Sequence, residues 1–301
     1  MNVLITGGTG LVGTRLTALL QNKGYQVSHL SRKPSNGPIK TYVWDVGKKT
    51  IETEAIETAD YIVHLAGAGV FDEAWSSNYK KQIFDSRINS TTFLIESIQK
   101  STNKVKAFVC ASAIGIYGND TGSKVVTEAT AAGNDFLADV VKHWERAADL
   151  ANKVGIRTVK IRIGIVLSEY GGALEKFVQP IKYGAGSALG TGNQYISWIH
   201  IDDLCRIFIH SIENSSIVGA YNGVAPEPVT NKELISHCAK ILNKPLILPN
   251  VPAFVLKIVL GSERSKSVLG GNNVSAEKIK RTGFNFSHPK IEEALESLLK
   301  K

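Results

Sequence analysis

Residues 2–13 read Asn-Val-Leu-Ile-Thr-Gly-Gly-Thr-Gly-Leu-Val-Gly. A short apolar run enters glycines at positions 7, 10 and 13 and leaves as a helix-patterned segment, Leu11–Lys23. A β run that turns through glycine directly into a helix leaves few folds open. It places the C-terminal end of a strand against a helix N-terminus, which is the geometry of a phosphate cradle. Gly7 permits the sharp turn, Gly10 lets a pyrophosphate approach the backbone, and Gly13 lets the helix lie close to the strand. The amides of Leu11 and Val12 then face an anion at the favourable end of the helix dipole. A nicotinamide-dinucleotide site is the functional reading. A tight βα turn with no ligand is the structural alternative.

The rest of the first half extends this unit. Strands are expected at Asn2–Thr6, Gln26–Ser31, Thr41–Trp44, Tyr61–Leu65, Ala107–Ser112 and Thr158–Ile163, with helices at Leu11–Lys23, Asn78–Gln99 and Asp135–Lys153. Short apolar β runs separated by helices predict an α/β fold, a Rossmann-type doubly wound parallel sheet with both faces covered. Beyond residue 167 the texture turns glycine-rich and then mostly helical, with no sheet of its own expected. A strand is read at Tyr195–Ile199 and a helix at Asp203–Ser211. Thr230–Glu233 has capping-box spacing and opens a helix to Leu242. Pro245, Pro249 and Pro252 precede an apolar helix, Ser275 caps a helix ending at Gly283, and a last helix follows Pro289. A nucleotide-binding domain over 1–167 and a smaller substrate or cap region over 168–301 follow from this.

Composition narrows the function classes. The chain has 301 residues, 43% hydrophobic and 21% charged, with a net charge of +8. No block of basic residues interleaved with aromatics appears, so a nucleic-acid partner is not expected. Cys110, Cys205 and Cys238 are dispersed in apolar surroundings and read as free thiols of a reducing compartment. The longest apolar stretch, Val251–Leu260, is interrupted by Lys257 and is too short to span a bilayer. Met1 stands directly before the first strand, and a cytoplasmic chain with no signal peptide and no membrane partner is expected.

The residue after the second strand reads the adenosine ribose. A carboxylate there would accept from the 2′-hydroxyl of NAD, but here the chain runs Ser31-Arg32-Lys33. A hydroxyl and a planar guanidinium fork suit a 2′-phosphate, so the expected cofactor is NADP(H). Asp45, closing the third strand, reads equally as an adenine contact and as a turn former. At the fourth strand, His64-Leu-Ala-Gly67 leaves room for a cofactor to cross, with the backbones of Leu65 and Ala66 as contacts. His64 itself reads as a packed histidine.

Thr6-Gly-Gly-Thr-Gly10-x-x-Gly13, His64-Leu-Ala-Gly67, Ala113-Ile-Gly-Ile-Tyr117-Gly118 and Trp198-Ile-His-Ile-Asp-Asp203 together resemble an extended short-chain dehydrogenase/reductase. More narrowly, they resemble the atypical "epimerase family" subgroup. The likeness continues through Asn222–Pro226, Val229–Asn231 and Leu269–Ser275, so it covers essentially the whole chain. The part from about 248 to 298 looks like the subgroup's own small helical domain. The resemblance implies a Rossmann fold, a nicotinamide cofactor and a small-molecule substrate. It also assigns Gln82, Arg87 and the backbone of Val166 to cofactor contact. The competing readings are surface or salt-bridge roles for Gln82 and Arg87 and core packing for Val166.

Family chemistry needs a tyrosine with a lysine four residues later on one helix, a serine and an asparagine. Anchored on Glu145, the first two positions carry Leu137 and Val141. Counting back from Tyr117-Gly118 puts Ala113 at the serine position, beside Ser112, and the asparagine position falls on Arg87. No catalytic residue is assigned. Tyr117, Ser112 and His64 are weak proton-donor candidates, Lys142 is read as solvent-facing, and His200, Asp202 and Asp203 read as a helix-capping motif. Two functions follow: an NADP(H)-dependent oxidoreductase or nucleotide-sugar epimerase-like enzyme lacking the usual pair, or a non-catalytic NADP(H)-binding regulatory or scaffold protein. Nothing in the sequence indicates an oligomeric state.

Overall fold

The computed structural model describes residues 1–300. In chain order the first part runs β1 (Asn2–Thr6), α1 (Leu11–Asn22), β2 (Gln26–Ser31), β3 (Lys40–Asp45), β4 (Thr50–Ile51), α2 (Glu54–Glu57), β5 (Tyr61–His64), α3 (Ser77–Lys100) and β6 (Ala107–Ala113). A 3-10 turn, Ile114–Tyr117, follows, then β7 (Val125–Val126), α4 (Phe136–Ala148), α5 (Leu150–Lys153) and β8 (Arg157–Ile163). The remainder runs β9 (Ile165–Leu167), α6 (Ala173–Lys182), β10 (Tyr195–Ile196), β11 (Trp198–His200), α7 (Ile201–Glu213), β12 (Gly219–Gly223), β13 (Val229–Thr230) and α8 (Asn231–Ile241). It ends with α9 (Ala253–Leu260), α10 (Ser262–Leu269), β14 (Asn273–Val274), α11 (Glu277–Lys280) and α12 (Ile291–Leu299).

An eight-stranded sheet has the order β12-β8-β6-β5-β1-β2-β3-β4. The β1–β2, β1–β5, β2–β3 and β5–β6 pairs are parallel, and the short β3–β4 hairpin is antiparallel. Val3, Leu4 and Ile5 are consecutive and fully buried, as are Ile62 and Val63. Consecutive burial means that both faces of these strands are covered, as helical crossovers require. The expected Rossmann-type sheet is therefore present, with strand ends within one residue of the sequence reading.

Two compact units divide the chain. One comprises 1–112, 140–161 and 205–221, and the other 113–139, 162–204 and 222–301. The chain passes between them repeatedly, where the sequence reading draws one boundary after residue 167. The second unit has its own apolar centre of Leu174, Val178, Trp198, Leu234, Ile235 and Leu295.

Two sequence expectations are corrected. The C-terminal part is not free of sheet: β12 joins the main sheet, and β9–β11, β10–β13 and β7–β14 form small ladders. Gly219–Gly223 escaped notice because Gly-Ala-Tyr-Asn-Gly has almost no β-branched content. The helix placed between Ser275 and Gly283 is one turn only, Glu277–Lys280. Ser275 does accept the Glu277 amide at 3.2 Å, but Gly283, at φ +85°, ends a segment too short to propagate. Pro289 lies ahead of the last helix, whose N-cap is Lys290. The Thr230–Glu233 capping box is present, with both reciprocal hydrogen bonds formed.

Within the second unit the Trp198–Asp203 motif works as a fastener. Asp203 is fully buried and accepts the amides of Ser287 and His288, each at 2.8 Å. His200 accepts the Asp202 amide on Nδ1 and stacks on His288 with centroids 3.9 Å apart. The capping role read for these residues is thus found, with the partner loop at 287–288. Asp203→Ala leaves the Ser287 and His288 amides without their buried acceptor. It should lower unfolding free energy by about 2–4 kcal/mol, read as a reduced urea midpoint at unchanged m-value.

Candidate functional site

At the end of β1 the chain turns at Gly7, whose φ is +69°. A Cβ here would meet the Ala66 amide and the Leu65 carbonyl carbon at 3.0 Å, so side chains are excluded by both conformation and space. Gly13, in the first turn of α1, sits against the same turn, and a Cβ there would lie 2.3 Å from the Gly7 carbonyl oxygen. The helix therefore begins flush with the strand end. Its N-cap is Gly10, which offers no side-chain cap. The first-turn amides of Leu11 and Val12 thus lack the internal acceptor that a serine or aspartate would provide.

The loop after β5 is fixed by Thr6. Its Oγ1 accepts the amides of both Leu65 and Ala66 at 3.1 Å. With its lone pairs engaged, the Thr6 hydroxyl donates to Nδ1 of His64, 2.7 Å away. That leaves the proton of the neutral imidazole on Nε2, which donates to Thr91 Oγ1 at 3.0 Å. Thr91 donates in turn to the Arg87 carbonyl at 2.6 Å. His64 is fully buried, and burial pushes its pKa down to about 3. It is a neutral strut between β1, β5 and α3, as the packed reading expects, and not a proton donor.

Arg87 follows from that strut. Its guanidinium lies 3.3 Å from where a Cβ on Gly67 would stand. Nη1 donates to the Ile83 carbonyl at 3.1 Å, and the group sits 5.2 Å from the Trp144 ring centroid. Among the described residues no carboxylate pairs with it. Burial pulls its pKa down to about 10, which leaves it charged at neutral pH.

Gln82 projects elsewhere. Five residues on a helix turn through about 140°, so Gln82 and Arg87 serve different sides of α3. Gln82 lines a groove of about 780 Å³ with Val46, Gly47, Asp85, Ser86 and Asn89. Asp45, one residue before this groove, accepts the Lys48 amide at 3.0 Å, so its turn-forming role is realised. At the end of β2, Arg32 is exposed and has no ion-pair partner among the described residues, while Ser31 Oγ accepts the Lys33 amide at 3.5 Å. The structure thus brings Gly7, Gly10, Leu11, Val12, Gly13, Ser31, Arg32, Asp45, Leu65, Ala66, Gln82 and Arg87 into one compact unit. Val166 belongs to the other unit, half-buried in β9 and paired with Ile199.

The residues aligned in sequence with the family's relay, and the weak proton-donor candidates, are apolar or already engaged. Val141 is buried, and Leu137 packs near Gly115. Ser112 donates to Glu145 Oε1 at 2.6 Å, and both are buried. Tyr117 donates to Asn222 Oδ1 at 2.7 Å and accepts from Arg162 Nη1 at 3.1 Å. Burial raises its pKa, and Arg162 and Asn222 only partly oppose this. Neither hydroxyl is poised to donate a proton. The sequence reading missed the Thr6 double acceptor and the Arg162–Asn222 clamp on Tyr117. A threonine immediately before a glycine turn was the only available signal for the first.

A family model described as the NAD dependent epimerase/dehydratase family matches residues 3–222. The chain belongs to this family. A second model, a domain of unknown function (DUF1731), matches residues 251–298. Among relatives of this epimerase family, protein YfhF of Bacillus subtilis is 35% identical, covering 99% of this chain and 98% of its own. Human epimerase family protein SDR39U1 is 32% identical over 99% of this chain and 100% of its own. The crystal structure of human SDR39U1 with NADPH superposes with a TM-score of 0.90 at 31% identity, over 99% of each chain. A nucleoside-diphosphate sugar epimerase structure from Corynebacterium glutamicum gives 0.80 at 34% identity, over 99% of this chain and 58% of that one.

The His64 strut has a pH signature. An imidazole whose folded pKa lies below its unfolded value of about 6.5 stabilises the fold above that pH, and the stability is lost as pH falls toward 3. Urea unfolding between pH 7 and pH 5 should show wild-type stability falling with a slope up to ~1.4 kcal/mol per pH unit steeper than in His64→Gln.

Proposed function

We propose that this epimerase-family chain binds NADP(H) at the β1–α1 turn and acts on a small-molecule substrate as an oxidoreductase without a tyrosine–lysine relay. The observation that carries the reading is the uncapped N-terminus of α1, flush against a Gly7 turn that admits no side chain. A pyrophosphate supplies the acceptor oxygens that those amides lack. Arg32, an unpaired guanidinium at the end of β2, suits the 2′-phosphate that separates NADP from NAD. Arg87 supports the same reading: a desolvated cation with no carboxylate, beside the bare Gly67 backbone, fits a phosphate or an anionic substrate. The groove beside Gln82 and Val46 offers room for an adenine. Human SDR39U1, with its bound NADPH, adds weight from a relative of the same length.

When bound, the nicotinamide supplies or accepts a hydride. This chain's residues orient the dinucleotide: Thr6 holds the Leu65–Ala66 loop and Arg87 flanks Gly67. Proton exchange with a substrate oxygen then falls to solvent or to the substrate's own groups, because Leu137 and Val141 carry no proton.

A second reading, an NADP(H)-binding protein without turnover, is favoured by the engagement of Ser112 with Glu145 and of Tyr117 with Arg162 and Asn222. One measurement tests the cofactor assignment that both readings share, and a second separates them. Arg32→Asp should weaken NADPH binding by about tenfold or more while leaving NADH binding nearly unchanged; equal losses would remove the 2′-phosphate assignment. In a screen of carbonyl and sugar-nucleotide substrates, turnover should appear, and Tyr117→Phe should cost far less than the ~10²-fold typical of a lost general acid. Tight NADPH binding with no turnover on any substrate class selects the second reading.

A further inference from the structure

The most conspicuous feature unconnected with the dinucleotide site lies in the second unit. From Pro245 to Leu260 the chain presents apolar side chains outward. Ile247 is 76% exposed, Phe254 65%, Ile258 80% and Val259 72%, with Leu246 and Leu248 also exposed. Phe254 and Ile258, four residues apart, share one side of α9, Val259 is exposed on the adjoining flank, and Leu256 turns inward. The patch continues onto the loop after α6, where Tyr183 is exposed and a Cβ on Gly186 would lie 2.8 Å from Leu246 Cδ2. This surface is held in place and not frayed. Ser187 donates to the Pro249 carbonyl at 2.5 Å, Asn250 donates to the carbonyls of Gly190 and Thr191, and Val251 and Gly190 exchange backbone hydrogen bonds with this loop. Ordered, outward-facing aliphatic groups on this scale mark a docking surface.

Charge selects the occupant. Residues 240–281 carry eight lysines and arginines against two glutamates, so most of the net charge of +8 lies in this stretch. Lys244, Lys257 and Lys266 flank the apolar residues, are exposed, and form no ion pair among the described residues. A second copy of the chain would bring the same positive charge to the same face. Apart from Phe254 and Tyr183 the exposed set is aliphatic, it holds no tryptophan or arginine, and it is flanked by lysine, which protein interfaces deplete. An apolar helix face with lysines beside it matches the headgroup boundary of an anionic bilayer, where aliphatic groups enter the acyl region and ammonium groups meet lipid phosphate. We propose that α9 and the preceding Pro245–Val251 segment form a peripheral docking surface for anionic membranes. The protein lies on the bilayer and does not cross it: no described helix is long and apolar enough to span. The expectation of no membrane partner rested on that missing span, and peripheral docking at this face would not need one.

The test uses the full chain with vesicles of phosphatidylcholine alone and vesicles containing phosphatidylglycerol, measured by co-sedimentation. Binding should appear with phosphatidylglycerol only and weaken as salt rises. The double variant Phe254→Ser/Ile258→Ser should lower the partition coefficient at least about tenfold, and Lys257→Glu roughly fivefold or more. Unchanged NADPH affinity and thermal midpoint in these variants show that the fold is intact. No binding to phosphatidylglycerol vesicles at low salt overturns the proposal, as does binding indifferent to the Phe254/Ile258 pair. Concentration-dependent self-association abolished by the same pair places a second copy on this face and overturns it. Equally tight binding of soluble polyglutamate shows a surface that reads charge alone, with the same consequence.

Discussion

Thr6 Oγ1 holds the site together. One hydroxyl at the end of the first strand accepts two amides from the loop after β5 and passes its own proton to a buried imidazole, whose second nitrogen reaches α3 through Thr91. Both strand ends that flank the glycine turn, and the helix that carries Gln82 and Arg87, are thereby joined by hydrogen bonds with a single consistent proton direction. Buried networks of this kind hold their geometry only when every member is satisfied. Here burial keeps His64 neutral, so the chain of donors is set at physiological pH.

Given that frame, the electrostatics around the turn are one-sided. The α1 amides, Arg32 and Arg87 all present positive charge or unshared donors, and no described acid answers either arginine. Cations elsewhere in the same unit do find acids, as Lys160 does with Asp149 at 2.6 Å. A desolvated guanidinium left without a counterion costs stability unless a ligand completes it. The polar groups that could move protons show the opposite arrangement: Ser112, Tyr117 and His64 are each fully engaged by their neighbours. The uncapped α1 turn is thus left open, while the polar side chains nearest the aligned Leu137 and Val141 positions are taken up by neighbours.

Much of this was legible in the residues. Short continuous apolar runs and glycine punctuation locate β1, β2, β5 and β6 within one residue, because parallel strands buried on both faces are nearly uniform in composition. The absence of a tyrosine from the helix that carries Glu145 was also visible. Less legible were elements whose formation depends on partners far along the chain. β12 forms because β8 offers an edge, not because Gly-Ala-Tyr-Asn-Gly favours extension. The Ser275 segment has a cap but lacks the length for a stable helix. The exposed face of α9 was hidden because Ala-Phe-Val-Leu-Lys-Ile-Val-Leu reads as a buried helix by periodicity alone.

The local rules of the backbone, read from the sequence alone, determined the strand–turn–helix unit at Asn2–Asn22, the arginine after β2, and the absence of a tyrosine–lysine pair from the helix that carries Glu145. Each depends on residue type at a short fixed spacing. Only the tertiary structure decided which polar groups were already used. Whether Tyr117 donates to a substrate or to Asn222, whether Arg87 meets a carboxylate or bare Gly67, and whether Ile258 faces a core or the outside all depend on contacts across tens of residues of chain. Those contacts arise from packing and burial, which no short window of sequence contains.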